Sequence, residues 1–298
     1  MKIHYNKAFS LLLVTLIYLF AIGLIEAILF FSPTHLHPYV VFSTALFSGA
    51  IFIFLFSRLL KNSSVFDPYW SVAPMVFVFY FLSISNPQSS SFRQILIISA
   101  VLLWGLRLTL NWARKWPGMV HEDWRFGELK SGNKLKAFLL DFLGIHLFQT
   151  FQIFLGMLPL YPAISLSTRD ANGFDILAFA LASAGMVISL IADEQLRIFI
   201  EKNTEKGAFI KSGLWRFSRH PNYLGEALFW FGIYVGGLSA EPDYAWTIIG
   251  CLAIGLMLRY ISIPMMEKHL LKTRPLYAQY QKEVAPFLPL NFLKKLKD

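Results

Sequence analysis

The sequence predicts an all-α fold, a polytopic transmembrane helical bundle of about eight spans within a range of about seven to nine, with both termini cytoplasmic. Three observations predict it. Of 298 residues, 56% are hydrophobic and only 15% charged, where a soluble domain carries about a quarter charged; the mean hydropathy is +0.52. The apolar residues fall in runs near the ~20 needed to cross a bilayer rather than in the short alternating strands of an outer-membrane barrel. Finally, nearly every basic residue sorts to one side of those runs.

In chain order the spans are Ala8–Phe31, Tyr39–Leu60, Tyr69–Ser85, Ile95–Trp112, Ala137–Tyr161, Phe174–Ile191, Leu224–Leu238 and Tyr244–Met265. The first follows a basic start, Met1 to Lys7, and is too long for a signal h-region, so it reads as an uncleaved span. The third and seventh are short, which predicts tilt or partial embedding. The turn-like connections Ser32–Pro38, Asn86–Ser91 and Ser239–Asp243 fall between spans one and two, three and four, and seven and eight. The longer connections Arg114–Lys136 and Arg197–Arg219 fall on the opposite side.

With the first terminus inside and the spans alternating, every Lys and Arg from Lys2 to Lys297 lies on the inner side except Arg93 and Arg169. The net charge of +9 therefore reads as topology, not as a nucleic-acid surface. The last lysines fit anionic headgroups, so membrane lipids are expected partners. Cys251 is the one cysteine and lies in an apolar run, which excludes a disulfide framework. No internal repeat or linker appears. The chain reads as one membrane domain, with two N-terminal spans in 1–66, substrate-side spans in 67–192 and a cofactor region in 193–298.

Ionisable groups within or at the ends of spans carry the functional signal, because burial is costly unless they pair or act. Glu26 reads as a snorkelling or paired acid. Asp67 opens the third span before Pro68, where an N-cap and a functional acid are both open readings. Arg107 stands three residues after Trp104. Asp141 and His146 fall inside the fifth span, and a lone His there reads as a hydrogen-bonded core residue. His35 and His37 are weak grounds for a metal, and none is expected. Asp193 and Arg197 are i and i+4, spaced to pair or to flank a phosphate- or ribose-bearing cofactor.

The densest motif is Ser212-Gly-Leu-Trp-Arg-Phe-Ser-Arg-His-Pro-Asn-Tyr-Leu-Gly-Glu226. Pro221 suits a first helical turn, Asn222 and Glu226 share a face, and Arg216 and Arg219 suit phosphate. Trp215, His220 and Tyr223 add flat, hydrogen-bonding surface. So many donors and acceptors at the mouth of a membrane helix have no cheap structural explanation.

The segment Arg219-His-Pro-Asn-Tyr-Leu-Gly-Glu226 resembles a signature shared by the steroid and sterol reductases and the isoprenylcysteine carboxyl methyltransferases. Asn222 with an acid four residues later, and Asp193…Arg197 upstream, resemble the reductase form more closely. The resemblance covers Asp193–Pro289, and the ending from Tyr280 to Pro289 is similar in both groups. Asp67 with Pro74 reproduces the spacing of a catalytic Glu and a Pro in steroid 5-alpha-reductases, with a shorter acid. Trp104 stands where that family carries a substrate-binding Tyr. The group resembled is the bacterial-type branch of the 5-alpha-reductase family.

The resemblance implies an integral membrane oxidoreductase that uses NADPH to reduce an activated C=C bond in a lipophilic, steroid- or isoprenoid-like substrate, its cofactor site facing the cytosol. The membrane would be the cytoplasmic one in a bacterium or the endoplasmic reticulum in a eukaryote. Asp67 is the expected catalytic acid, with Tyr69, Trp70 and Trp104 at the substrate. Arg107, Asp193, Arg197, Trp215, Arg219, His220, Asn222, Tyr223, Glu226 and Arg259 are expected at the cofactor. No Gly-x-Gly-x-x-Gly follows a strand, so the site is not of Rossmann type. The alternatives are an S-adenosylmethionine-dependent methyltransferase and a non-enzymatic lipid-binding or transport protein.

Overall fold

A computed structural model describes residues 6–203 and 205–288. Lys2, Pro289 and the last lysines lie outside the described residues. Among the described residues every regular element is helical. The chain divides into two compact units, Met1–Asp170 and Ala171–Asp298, so the sixth expected span belongs wholly to the second unit.

In the first unit, α1 (Lys7–Phe31) starts where the Asn6 side chain accepts from the Phe9 amide at 2.8 Å. α2 (Pro38–Leu60) has Pro38 in its first turn and ends at Lys61, which takes a left-handed φ of 54°. The two pack closely: a Cβ on Gly49 would sit 2.7 Å from Ile25 Cδ1. A 3-10 turn, Ser63–Phe66, leads into α3 (Tyr69–Ser83), which packs on α4 (Ser91–Lys115) through Ser71, whose hydroxyl lies 2.8 Å from that of Thr109. Short helices α5 (Trp124–Leu129) and α6 (Lys134–Leu139) precede a π-helical stretch, Leu140–Leu147, that runs into α7 (Phe148–Met157). The core is aromatic: Phe42 meets Phe77, Phe81 and Phe154 at ring-centroid distances of 4.8, 5.4 and 5.2 Å. Arg93, one of the two basic residues assigned outside, is buried and donates to the carbonyls of Arg169 and Asp170, each at 3.0 Å.

The second unit opens with α8 (Gly173–Lys202), begun by a capping box between Asn172 and Asp175. α9 (Pro221–Ala240) returns along it. A Cβ on Gly225 would lie 2.4 Å from the Gly185 carbonyl oxygen, and one on Gly232 would lie 2.8 Å from that of Ala178. Later positions on α9 thus meet earlier ones on α8, and the pair is antiparallel. α10 (Ile248–Met257), a π-helical stretch (Leu258–Ser262) and α11 (Ile263–Thr273) follow, and α12 (Tyr277–Glu283) is the last helix among the described residues.

Among the described residues seven helices are long and apolar enough to cross a membrane, the last of them continuous over Pro242–Thr273. The chain is therefore a polytopic helical membrane protein. The seventh expected span forms as α9 but is not among the seven. Asn222, Glu226 and several glycines dilute its hydropathy, and close packing on α8 supplies the contacts that side-chain bulk would otherwise give.

Candidate functional site

The motif from Ser212 to Glu226 is shaped by the end of α8. Gly213 has φ +61°, a conformation that favours glycine, and a Cβ there would sit 2.5 Å from the end of the Gln195 side chain and displace it. Gln195 Oε1 accepts from the Leu214 amide at 2.9 Å, and Trp215 Nε1 donates to the Ala192 carbonyl at 3.2 Å. Trp215 is packed with Ala192 and Ile210. The Tyr280 hydroxyl donates to the Trp215 carbonyl, tying α12 to the same turn.

These contacts wall a cavity of about 160 Å³ within the second unit. Phe199 and Ile200 of α8, Phe209, Met266 and Leu270 line it with apolar side chains; Trp215, Tyr223, Tyr277 and Tyr280 add aromatic ones. Arg219, His220, Asn222 and Arg274 are polar residues of its lining. Burial pushes the phenols of Tyr277 and Tyr280 well above the ordinary tyrosine value, so both remain neutral donors.

Arg219 and His220 are held by a residue absent from the expected site. Glu267 on α11 accepts from Arg219 through Nε at 2.6 Å and Nη2 at 3.2 Å, from Gln281 at 2.7 Å and from Tyr277 at 3.5 Å; its Oε1 also lies 3.1 Å from His220 Nε2. The Arg219 Nη1 group donates to the Gln281 carbonyl at 2.8 Å and to that of Val284. Arg219 was expected at a cofactor phosphate, but its donors are largely spent inside the protein. The signal that could have found Glu267 is an acid two residues past the end of the last expected span, Tyr244–Met265, where burial demands a partner.

Other expected residues also have prior engagements. Arg197 was spaced to pair with Asp193; instead it pairs with Glu194, and with Glu201 at 2.6 Å. Asp193 accepts from Asn222 Nδ2 at 3.5 Å, which joins α8 to the start of α9. The other amide atom, Asn222 Oδ1, is buried with no hydrogen-bond partner among the described residues. A carboxylate only accepts, so the amide turns its Nδ2 donor toward Asp193 and its Oδ1 away. His220 stacks on Tyr223, 5.4 Å between centroids at 10°. Arg259 sits over the Tyr260 ring, 5.2 Å from its centroid, and neither it nor Glu226 lines the cavity.

In the first unit, Asp67 follows the 3-10 turn, and α3 begins after Pro68 with no side-chain cap. The N-cap reading of Asp67 is thereby removed. Its carboxyl group has Arg125 and Asp123 as charged neighbours, and the nearby Trp112 indole N–H is buried with no hydrogen-bond partner among the described residues. Burial alone would raise the Asp123 carboxyl; its bonds to Arg125 Nε and Nη2, both 2.9 Å, hold it below the usual carboxylate range. Tyr69 is buried and donates to the Leu46 carbonyl at 2.6 Å, Trp104 is fully buried, and Trp70 is half-buried. Arg107 lies on α4, one turn beyond Trp104.

Around Asp67 runs a buried polar network. Asn62 donates to the carbonyls of Met119 and His121 at 3.1 and 2.9 Å, and Ser64 Oγ accepts from the Asp123 amide at 2.9 Å. Ser63 donates to Asp141 at 2.7 Å, and His146 bonds the Asp141 carbonyl through Nδ1 at 2.8 Å and Ser57 through Nε2 at 3.3 Å. His146 is thus a hydrogen-bonded core residue, as expected. Asn62→Ala should free the 119–123 loop and cost about 1–3 kcal/mol; a lower melting temperature in detergent with faster proteolysis in that loop would check it.

The architecture defines a polytopic helical membrane protein with an aromatic cavity at the start of one helix. The chain belongs to the family described as "Protein of unknown function (DUF1295)", whose sequence profile matches residues 53–284. It is similar to the uncharacterized protein C594.04c of Schizosaccharomyces pombe, 29% identical over 252 residues that cover 77% of this chain and 73% of the relative. No solved structure matches it.

Proposed function

We propose that the chain is a membrane-embedded, NADPH-dependent reductase of the steroid 5-alpha-reductase type, acting on an activated C=C bond in a lipophilic, steroid- or isoprenoid-like substrate. The observation that carries the reading is the aromatic cavity at Arg219–Tyr223 with the orphaned acceptor Asn222 Oδ1. Its ~160 Å³ suits one ring, since an engineered apolar cavity of about 150 Å³ takes benzene. An unpartnered buried acceptor favours a ring that brings an N–H donor, which a nicotinamide carboxamide does. These residues fit the ring end of NADPH. Arg274 at the cavity is better placed for a phosphate than Arg197 or Arg219, whose charges are already paired.

NADPH, when bound, supplies the hydride. The chain supplies orientation: Trp215 and Tyr223 offer faces to a ring, and Asn222 a hydrogen-bond acceptor. Apolar walls exclude water. In this reading Asp67 donates a hydrogen bond to the substrate's carbonyl oxygen, where charge accumulates as the β-carbon is reduced. The inner-side charge pattern supports a cytosolic cofactor site.

Titration calorimetry of the purified full-length protein separates the classes. NADPH binding without S-adenosylmethionine binding is expected; the opposite result would make the protein a methyltransferase. Asp67→Asn should retain NADPH affinity within about twofold while turnover of lipophilic enones falls by about a hundredfold or more. Full turnover in that variant would remove Asp67 from the chemistry.

A further inference from the structure

This inference rests on the reading above, in which the cavity takes the ring end of NADPH. We propose that Glu267 is a positioning residue of that cavity: it holds His220 through Nε2, so that His220 Nδ1 and Asn222 Oδ1 serve as a pair of acceptors for a ligand carboxamide. Glu267 faces a guanidinium, a side-chain amide and a phenol at once, and an ionised carboxylate only accepts. The proton between Glu267 Oε1 and His220 Nε2, 3.1 Å apart, therefore belongs to the ring. In the neutral ring the other nitrogen then carries a lone pair. Nδ1 has no partner among the described residues, and stacking on Tyr223 fixes the ring plane. Asn222, two residues on, is among the residues lining the same cavity, and its Oδ1 is buried with no hydrogen-bond partner among the described residues.

Two unfilled acceptors side by side discriminate by ligand chemistry. A carboxamide offers two N–H groups, whereas an acetyl group of the same shape offers none. His220→Phe keeps a flat ring for Tyr223 and leaves Arg219 paired with Glu267, but removes the acceptor. Glu267→Gln keeps the shape and removes the charge that assigns the ring proton.

The test compares dissociation constants, by calorimetry on the full chain, for NADPH and for its reduced 3-acetylpyridine analogue, in which a methyl replaces the amide nitrogen. Wild type should prefer NADPH by about tenfold. The preference should fall at least about threefold in His220→Phe and in Glu267→Gln, and Glu267→Asp should restore part of it. Loss of packing alone would weaken both ligands together and leave the ratio unchanged. An unchanged ratio in His220→Phe overturns the proposal, and that variant decides the matter should Glu267→Gln not fold. Failure of wild type to bind either ligand overturns the reductase reading itself, and the proposal with it.

Discussion

Glu267→Ala should destabilise the protein by about 3–5 kcal/mol, the usual cost of breaking a buried ion pair from one side. Arg219 and Glu267 expose only 8% and 10% of their side chains, so water cannot replace the lost partner. The guanidinium would keep its carbonyl contacts to Gln281 and Val284 but lose its counter-charge. Gln281, Tyr277 and His220 would each lose an acceptor in the same step. Since Arg219 also donates its amide to the Ala285 carbonyl at 3.0 Å, the region after α12 should loosen with it. Thermal unfolding in detergent measures the loss, and limited proteolysis after Glu283 locates it. The double variant Arg219→Met, Glu267→Leu should recover much of the stability, because it leaves no buried charge unpaired. A single variant as stable as wild type would mean that water reaches the pair.

The same cluster marks where sequence reasoning runs out. Hydropathy and the sorting of Lys and Arg are one-dimensional signals, and they were enough to read a polytopic bundle. The Arg219–Glu226 motif was legible as a candidate site because polar residues are costly at a helix mouth. What Arg219 binds was not legible. Its partner is 48 residues away, and no local spacing encodes that contact. Arg197 shows a subtler failure within one helix. Three acids lie within reach of it, and the longer Glu194 and Glu201 take it while Asn222 engages Asp193. Helical periodicity names the neighbours; competition between them is settled in three dimensions. For Asp67, a cap was the plausible local reading, but the 3-10 turn shifts the start of α3 past Pro68 and leaves the carboxyl to other contacts.

Packing of α9 on α8 sets the remaining large effect. Gly225→Leu should abolish the native fold of the second unit. The first atom of any side chain at 225 would meet Ser189 Oγ at 2.3 Å, the Gly185 carbonyl oxygen at 2.4 Å and the Ser189 amide at 2.8 Å. Two of these three are backbone atoms of α8, which cannot rotate away. Overpacking a core ordinarily costs about 1–3 kcal/mol because side chains yield; here the helices themselves must separate. Separation would also pull Ser189 Oγ from the Asn222 carbonyl, a 2.9 Å bond, and Asn222 from Asp193. The start of α9 would then lose its place beside the cavity, so any ligand taken there should be lost along with stability. Gly23→Leu is the matched control: nothing lies within 4 Å of its added Cβ, and a lipid-facing helix should accept the bulk with little change. Yield of monodisperse protein and melting temperature compare the two. Equal behaviour of the two variants would mean that α8 and α9 do not pack through Gly185 and Gly225. The low hydropathy of α9 would then lose its explanation, since close backbone contact is what makes its small residues sufficient.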